Sequence, residues 1–446
     1  MTLAIGGIEM NGSNMTFLIV SSVLVFFMTP GLAFFYGGLV SRKNVVNTML
    51  SVFFICGIAV LLYAAVGYEL SFNGDIGGII GKVNHFFLSG LDLTKMQSKE
   101  LGISVGGYLI FQMMFAIITP ALFVGAIVGR MRFNFLLVFI VLWSIIIYYP
   151  MVHIVWSPTG LLASLGVLDF AGGTVVHINA GITALMLSIF VGKRLNFGKR
   201  LKVEHYNMPW VLLGTAILWI GWYGFNAGSA LGMNEIAIQA FLTTTIATGA
   251  AMITWMVVDM IVVKKPTLEG VCTGTICGLV GITPAAGFVT TVGAFGIGFL
   301  SALASYGFIT YIKPKLKYDD PLDAFGCHGV SGIVGSILTG AFASKAANSA
   351  ITENGLFYGG GWHQLFIQII GTFFTIAFVV VIVAIIVIIM KRFIKIRVNE
   401  DEEIEGLDKG EHGEYADYTI AAQTSDIEKY RKEFQGQLAR FNKPKE

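Results

Sequence analysis

The sequence predicts an all-α integral membrane protein of eleven transmembrane helices, with a five-plus-five inverted repeat, the N-terminus outside and the C-terminus in the cytosol. Three observations carry this prediction. Hydrophobic residues make up 55% of the 446 residues and charged residues only 13%, against about a quarter in soluble domains. Apolar windows of membrane-spanning length recur along the chain, and one short motif occurs twice.

The composition also excludes several classes of protein. A soluble domain could not bury so much apolar surface, and a disordered chain would not contain it. The net charge of +2 indicates no nucleic-acid partner. The four cysteines are scattered and lack the histidine partners of a zinc site, so we predict no metal and no cofactor. We find no phosphate-binding loop or nucleophile elbow, so the chain is not predicted to be an enzyme.

Eleven apolar segments approach the length of a membrane span. A helix needs about 20 apolar residues to cross the bilayer, and most of these segments are hydrophobic on all sides. The eighth is the shortest. The predicted spans are residues 15–40, 45–70, 104–129, 133–152, 172–192, 209–228, 236–263, 267–283, 286–312, 324–342 and 363–390.

The distribution of lysine and arginine sets the predicted orientation, because cytosolic loops are enriched in both. All but four of the 29 basic residues fall in alternate loops or in the C-terminal region; the exceptions are Lys82, Lys95, Lys99 and Lys345. We therefore predict an extracellular segment 1–14, a transmembrane domain 15–393 and a cytosolic tail 394–446. The tail is acidic at Glu400–Glu405 and helix-forming at 425–441.

An internal repeat supports the same topology. Residues 169–177 open the fifth span and residues 320–328 open the tenth, and each segment runs from an aspartate through seven residues to a histidine. Both continue with Gly-Ile, at 181–182 and at 332–333. An odd repeat of five spans inverts the second copy, as in transporters that bind substrate between the halves. The predicted pseudo-repeats are about 15–192 and 209–342, followed by a final helix 363–390.

His177 and His328 are the leading candidates for function, because ionisable groups within membrane spans are costly. The alternative is a structural role for each, hydrogen-bonded within the bundle. Both lie about one turn inside helices that start on opposite faces, so depth alone does not bring them together. They meet only if the segments before them dip into the membrane. A facing pair offers hydrogen-bond donors and acceptors to a small molecule and a route for a proton.

Asp169 and several aromatic residues are further candidates. Asp169 orients a loop, sets a histidine tautomer or attracts cations, and the alternative is an N-terminal cap of the fifth span. Aromatic rings near the membrane surface usually contact lipid, but ring faces also attract small cations such as ammonium. The aromatic candidates are Phe115 in the third span, Trp156 at the end of the fourth, and Trp219, Trp222 and Phe225 in the sixth, which Ser229 follows.

Several motifs in order resemble the Amt branch of the Amt/Rh ammonium transporters, from about residue 15 to 418. They are residues 30–39, 169–181, 221–229, 281–287, 325–332 and, in the tail, 405–414. The resemblance implies a homotrimer in the plasma (cell inner) membrane with one pore per protomer. It also implies that the tail 394–446 is regulatory and that a PII-type signalling protein can plug the cytosolic face. The resemblance also implies that the segments before the two histidines dip into the membrane, as a contact between the histidines requires.

The resemblance further implies residue roles. The pore histidines are His177 and His328, and the gate is Phe115 and Phe225. The external recruitment site consists of Phe115, Trp156 and Ser229. Asp169 supports the entrance, and Thr283 packs near the vestibule.

The resulting hypothesis is transport of ammonium and ammonia. Ammonium enters the aromatic vestibule and loses its proton, and ammonia crosses past the histidines; the residues leave open whether the proton follows. No carbonyl filter motif of potassium channels occurs. The alternatives are an ammonium sensor that signals through its tail and a sodium-coupled inverted-repeat transporter. A third, an Rh-type gas channel, is disfavoured by the acidic tail motif.

Overall fold

A computed structural model describes residues 3–5, 8–198 and 205–417. In this part of the chain ten helices are long and apolar enough to cross a membrane, which confirms a multi-pass, mostly helical membrane protein. An eleventh apolar helix, α8, has 15 residues, so the count of eleven crossings stays a prediction. The helices are α1 (Gly12–Leu39), α2 (Arg42–Phe72), α3 (Val105–Ala126), α4 (Phe133–Ser164), α5 (Gly173–Val191), α6 (Met208–Gly228), α7 (Glu235–Val262), α8 (Leu268–Ile282), α9 (Thr291–Leu316), α10 (Phe325–Phe342) and α11 (His363–Met390).

Two small hairpins lie on the predicted outer face. Strands β1 (Leu3–Ile5) and β2 (Ile8–Met10) pair antiparallel, as do β3 (Met96–Ser98) and β4 (Ile103–Ser104). The side chain of Asn14, at the start of α1, donates from Nδ2 to the carbonyl of Leu101, 2.7 Å away. This bond ties the N-terminal region to the long loop between α2 and α3.

Glycines determine how closely the helices approach. On α6, a Cβ at Gly214 would lie 2.4 Å from the backbone nitrogen of Phe35, and one at Gly221 would lie 2.8 Å from the carbonyl oxygen of Leu24. Both distances are too short for a real side chain. The glycines therefore allow α1 to pack directly on the backbone of α6, as small residues do between membrane helices.

The first part of the tail folds over the predicted cytosolic face. Helices α12 (Glu400–Glu405) and α13 (Leu407–His412) follow α11. The guanidinium of Arg132 pairs with Glu402 at 2.8 Å and with Glu411 at 2.9 Å. The carboxylate of Asp408 accepts from the backbone N–H of Asn47 at 2.8 Å, and burial raises the pKa of Asp408. The predicted helix 425–441 and residues 199–202 of a basic loop lie outside the described residues.

Candidate functional site

Two buried aspartates begin the two repeated segments. The carboxylate of Asp169 accepts hydrogen bonds from the backbone N–H groups of residues 172–175, at 2.5–3.2 Å, and from the hydroxyl of Thr174. The carboxylate of Asp320 accepts from the N–H groups of Ala324 and Phe325. Each aspartate therefore caps the helix that carries the following histidine, α5 or α10. For Asp169, capping was the alternative to orienting a loop, setting a histidine tautomer or attracting cations.

These caps explain how His177 and His328 come together, although helices that start at opposite membrane faces would keep them apart. Both helices begin inside the protein: Asp169 is 7% exposed and Asp320 is fully buried. Non-helical segments, 165–172 and 317–323, lead from the faces of the bundle to these starts. A helix start at that depth is tolerated because a side chain satisfies its free N–H groups. Each histidine therefore lies deeper inside the protein than expected for a residue one turn into a helix that starts at the surface.

A glycine four residues after each histidine brings the two rings into contact. A Cβ at Gly181 would lie 2.3 Å from the Cα of Gly329, and one at Gly332 would lie 3.1 Å from the Cβ of His177. Helices α5 and α10 thus cross at these glycines with little space between their backbones. The rings of His177 and His328 stack with centroids 5.4 Å apart and planes 10° apart.

The histidine nitrogens lack the partners that a structural histidine would have. Within the described residues, Nδ1 and Nε2 of His177 and Nδ1 of His328 are buried without a hydrogen-bond partner. His153, by contrast, is fully buried and bonds the carbonyl of Ser71 at 3.0 Å and the carboxylate of Asp75 at 2.9 Å. Buried polar atoms in proteins are normally paired. The free nitrogens therefore indicate a site for a hydrogen-bonding molecule.

Aromatic rings lead from the partly exposed Trp156 to the histidines. Phe115 meets Trp156 edge to face at 5.7 Å and stacks on Phe225 at 4.2 Å, with ring planes 28° apart. Phe225 contacts His177 at 6.0 Å. Trp156, Phe115, Phe225, His177 and His328 thus form an unbroken series, which we call the ring column. The structure brings together the residues of the predicted recruitment site, gate and histidine pair that carry rings, whereas the candidate Trp219 has no ring contact with them.

His328, the last member of the ring column, also lines a cavity of about 10 Å³. This volume is close to the smallest that admits one water molecule. Its walls are almost entirely apolar, and Cys327 and His328 lie side by side in them. The remaining lining residues come mainly from α1, α3, α6 and α8, and they are Leu32, Phe35, Tyr36, Leu122, Leu218, Trp222, Ile276, Leu322 and Ala324.

Comparison with known proteins assigns the family. The family model described as Ammonium Transporter Family matches residues 16–417. The chain belongs to this family. An ammonium transporter of Aquifex aeolicus is 44% identical over 409 residues, covering 92% of this chain and 94% of the relative. The crystal structure of Candida albicans Mep2 aligns with a TM-score of 0.82 at 33% identity, covering 88% of each chain. A structure titled sensor Amt protein aligns with a TM-score of 0.80 at 30% identity, covering 90% and 98%.

Trp222 was an aromatic candidate to which the sequence of this ammonium transporter family member assigned no role, and the structure places it at the site. Its ring stacks on His177 at 5.3 Å with planes 13° apart. Its Nε1 donates to the hydroxyl of Thr283 at 2.8 Å, which fixes the indole. The spacing predicts that Trp222 shares a helix face with Phe225, three residues later, but it does not predict the contact with His177.

Ser229 and Asp169 each meet the ring column through one contact. The hydroxyl of Ser229 donates to the carbonyl of Phe225 at 2.8 Å, one turn earlier in α6, so its lone pairs remain available to a donor. The Nε1 of Trp156 donates to the backbone carbonyl of Asp169 at 2.9 Å. The loop that carries the Asp169 cap therefore also holds the indole at the partly exposed end of the ring column.

Proposed function

We propose that this ammonium transporter family member recruits ammonium at Trp156, Phe115 and Ser229, removes its proton, and conducts ammonia past His177 and His328. The observation that carries the proposal is the ring column, which connects a partly exposed indole to two buried imidazoles with unpaired nitrogens. Ring faces attract a cation at the entrance. The free nitrogens then donate to and accept from the neutral molecule.

The proton must leave because the ring column offers a cation no counter-charge. The carboxylate of Asp169 is already engaged by backbone N–H groups and the Thr174 hydroxyl. An unpaired charge in an apolar site is costly, whereas a neutral molecule with hydrogen-bond partners is tolerated. Potassium has no proton to lose, so the same path rejects it. Selectivity then comes from deprotonation instead of a coordination shell.

Transport by purified protein in liposomes tests this proposal. We expect ammonium-dependent uptake that potassium does not compete with. Ammonium-evoked current on solid-supported membranes accompanies the uptake if the proton follows along the histidines, whereas uptake without current means that ammonia alone crosses. Absence of uptake by folded, reconstituted protein would falsify the proposed function.

The stacked pair Phe115 and Phe225 closes the ring column above the histidines, so we propose that it acts as the gate. Replacing Phe225 with alanine removes a ring that is fully buried and leaves a gap of side-chain size. We expect the Phe225→Ala variant to leak water, measured as faster osmotic shrinkage of proteoliposomes. Phe139→Ala is the matched control, because Phe139 is equally buried but contacts Phe123 outside the ring column. Equal shrinkage of Phe225→Ala and wild-type vesicles argues against the gate.

We propose eleven crossings as a five-plus-five inverted repeat, with the N-terminus outside and the C-terminus in the cytosol of a plasma-membrane homotrimer. The paired aspartate caps and the symmetric glycine crossing support the repeat, and the basic loops support the orientation. The trimer rests on the family resemblance. Native mass spectrometry in mild detergent tests it, and a monomer at all concentrations would contradict it.

We propose that the tail is regulatory and that a PII-type protein binds the cytosolic face. The docked helices α12 and α13 support a tail that communicates with the loops beneath it. The basic loops suit an acidic partner. A pull-down with the cognate PII protein, with and without ATP and 2-oxoglutarate, tests this partner, and no binding in either condition would exclude it.

A sensing role is the second candidate, favoured by the similarity to the protein titled sensor Amt protein. It predicts that deleting the gene abolishes an ammonium-dependent cellular response while uptake by other routes continues. Uptake by the isolated protein together with a normal response in the deletion strain favours transport alone. Sodium-dependent uptake in liposomes would instead favour the sodium-coupled alternative.

A further inference from the structure

Two glutamines on α11 bind the non-helical segment 165–172, and the proposed transport gives them no role. Gln364 and Gln368 lie four residues apart, so they share one face of the helix. They are 3% and 1% exposed. The Nε2 of Gln364 donates to the carbonyl of Gly166 at 3.1 Å. A helix outside the predicted repeat therefore contacts the segment that leads to the start of α5.

The side-chain amide of Gln368 pairs with both backbone groups of one residue. Its Oε1 accepts from the N–H of Leu168 at 2.7 Å, and its Nε2 donates to the carbonyl of Leu168 at 2.8 Å. The same Nε2 donates to the carbonyl of Ser336, in α10, at 3.0 Å. Backbone outside a helix needs such partners at membrane depth, because lipid offers none. Gln368 therefore joins the segment before α5 to both α10 and α11.

The matching segment of the second half, 317–323, is bound by charged side chains instead. The guanidinium of Arg130 donates to the carbonyl of Asp319. Arg194 pairs with the carboxylate of the same residue at 2.9 Å. Both arginines belong to the predicted cytosolic face. The two halves thus meet the same need with different residues, and the repeat in the sequence does not reveal the role of Gln368.

The segment bound by α11 ends at the acceptor that fixes the outermost ring of the ring column. Leu168 directly precedes Asp169, whose backbone carbonyl accepts from the Nε1 of Trp156 at 2.9 Å. The segment also packs tightly on α11, since a Cβ at Gly371 would lie 2.8 Å from the Cγ2 of Val167. The amide on α11 is therefore one residue away, along the backbone, from the bond that orients the indole.

We propose that Gln368 is a positioning residue for the recruitment of ammonium. Its amide fixes the backbone of Leu168 and, through the carbonyl of Asp169, the indole of Trp156. The two histidines keep their own supports, which are the aspartate caps and the glycine crossing. Loss of the amide therefore weakens recruitment more than passage. The effect on recruitment rests on the proposed function, whereas the effect on the backbone of segment 165–172 does not.

The variant Gln368→Leu tests the proposal, because leucine is of similar size and forms none of these bonds. We expect the ammonium concentration for half-maximal uptake to rise about fivefold or more, as for one lost hydrogen bond. The maximal rate should change by less than about twofold. Hydrogen–deuterium exchange of residues 165–172 in detergent should be about tenfold faster.

The matched control is Thr375→Val, on the same helix. Thr375 is fully buried, and its hydroxyl donates to the carbonyl of Gly371 within α11. Valine keeps the shape and removes the hydroxyl, so this variant loses a buried hydrogen bond that does not reach segment 165–172. We expect its half-maximal concentration, maximal rate and exchange of that segment to equal those of the wild type.

The variant Gln368→Glu adds a pH signature that a merely structural role does not produce. A protonated carboxyl group offers one donor and one acceptor, which suffice for Leu168, whereas a carboxylate offers acceptors alone and faces two carbonyls. We expect its half-maximal concentration, relative to the wild type at each pH, to be near one in acid and to rise in alkali. For Gln368→Leu this ratio should not depend on pH.

The outcomes separate this proposal from the proposed function. Unchanged exchange in Gln368→Leu overturns the proposal, and so does faster exchange with an unchanged half-maximal concentration. An equal loss of maximal rate and affinity overturns it in favour of a structural role. If Gln368→Leu aggregates on a sizing column, the pH dependence of Gln368→Glu decides alone. Faster exchange without uptake by the wild type contradicts the proposed function but supports the contact between Gln368 and the segment.

Discussion

Replacing His177 and His328 together with leucine is expected to lower ammonium-selective uptake by about thirtyfold or more. The two imidazoles are the polar groups of a ring column whose other members are Trp156, Phe115 and Phe225. A polar molecule that loses a hydrogen-bond partner in an apolar site loses roughly 2 kcal/mol, which corresponds to about a thirtyfold slower passage. Uptake of ammonium into proteoliposomes, with potassium as competitor, measures the effect.

A histidine outside the ring column provides the control. His363 is largely exposed and bonds Glu353 at 2.8 Å, so His363→Leu should transport as the wild type does. Elution from a sizing column shows whether each variant remains folded. If the double variant keeps both its rate and its discrimination against potassium, the histidines do not line the path. A loss of discrimination with retained flux would place their role in selectivity.

The histidine pair could be predicted from the sequence because its signal is local and repeated. An aspartate, seven residues, a histidine and a glycine four residues later occur in both halves, and each part has a structural counterpart. The aspartates cap α5 and α10, and Gly181 and Gly332 form the crossing. The depth of the pair could not be predicted, because hydropathy does not distinguish a buried helix start from one at the membrane surface.

The aromatic part of the site was only partly predictable. Phe111 and Phe115 share one face of α3 and both are buried, yet only Phe115 stacks on Phe225. Periodicity assigns a face to a ring but does not give its neighbours on other helices. The stacking of Trp222 on His177 could not be predicted for the same reason. The packing of α12 and α13 was equally hidden, because a charged tail segment looks the same whether it is solvated or docked.

Replacing Asp169 with alanine is expected to destabilise the protein by several kcal/mol and to abolish uptake. The carboxylate satisfies four buried N–H groups and the Thr174 hydroxyl, and each donor left unpaired costs about 1–3 kcal/mol. The start of α5 would then shift, and His177 with it. Thermal unfolding in detergent and uptake in liposomes measure the two effects. Asp92→Ala, in the exposed loop between α2 and α3, is the control and should change neither.

The variant Asp169→Asn distinguishes a capping role of Asp169 from attraction of the ammonium cation. Asp169→Asn keeps one oxygen for the N–H groups but carries no charge, so a capping role predicts stability and uptake between those of the wild type and of Asp169→Ala. Attraction of the cation predicts instead that Asp169→Asn is stable yet needs a much higher ammonium concentration for half-maximal uptake. Because the carboxylate is already bound on both oxygens, we expect the first result. An electrostatic role through the loop would appear as a salt dependence of uptake in the wild type that Asp169→Asn lacks.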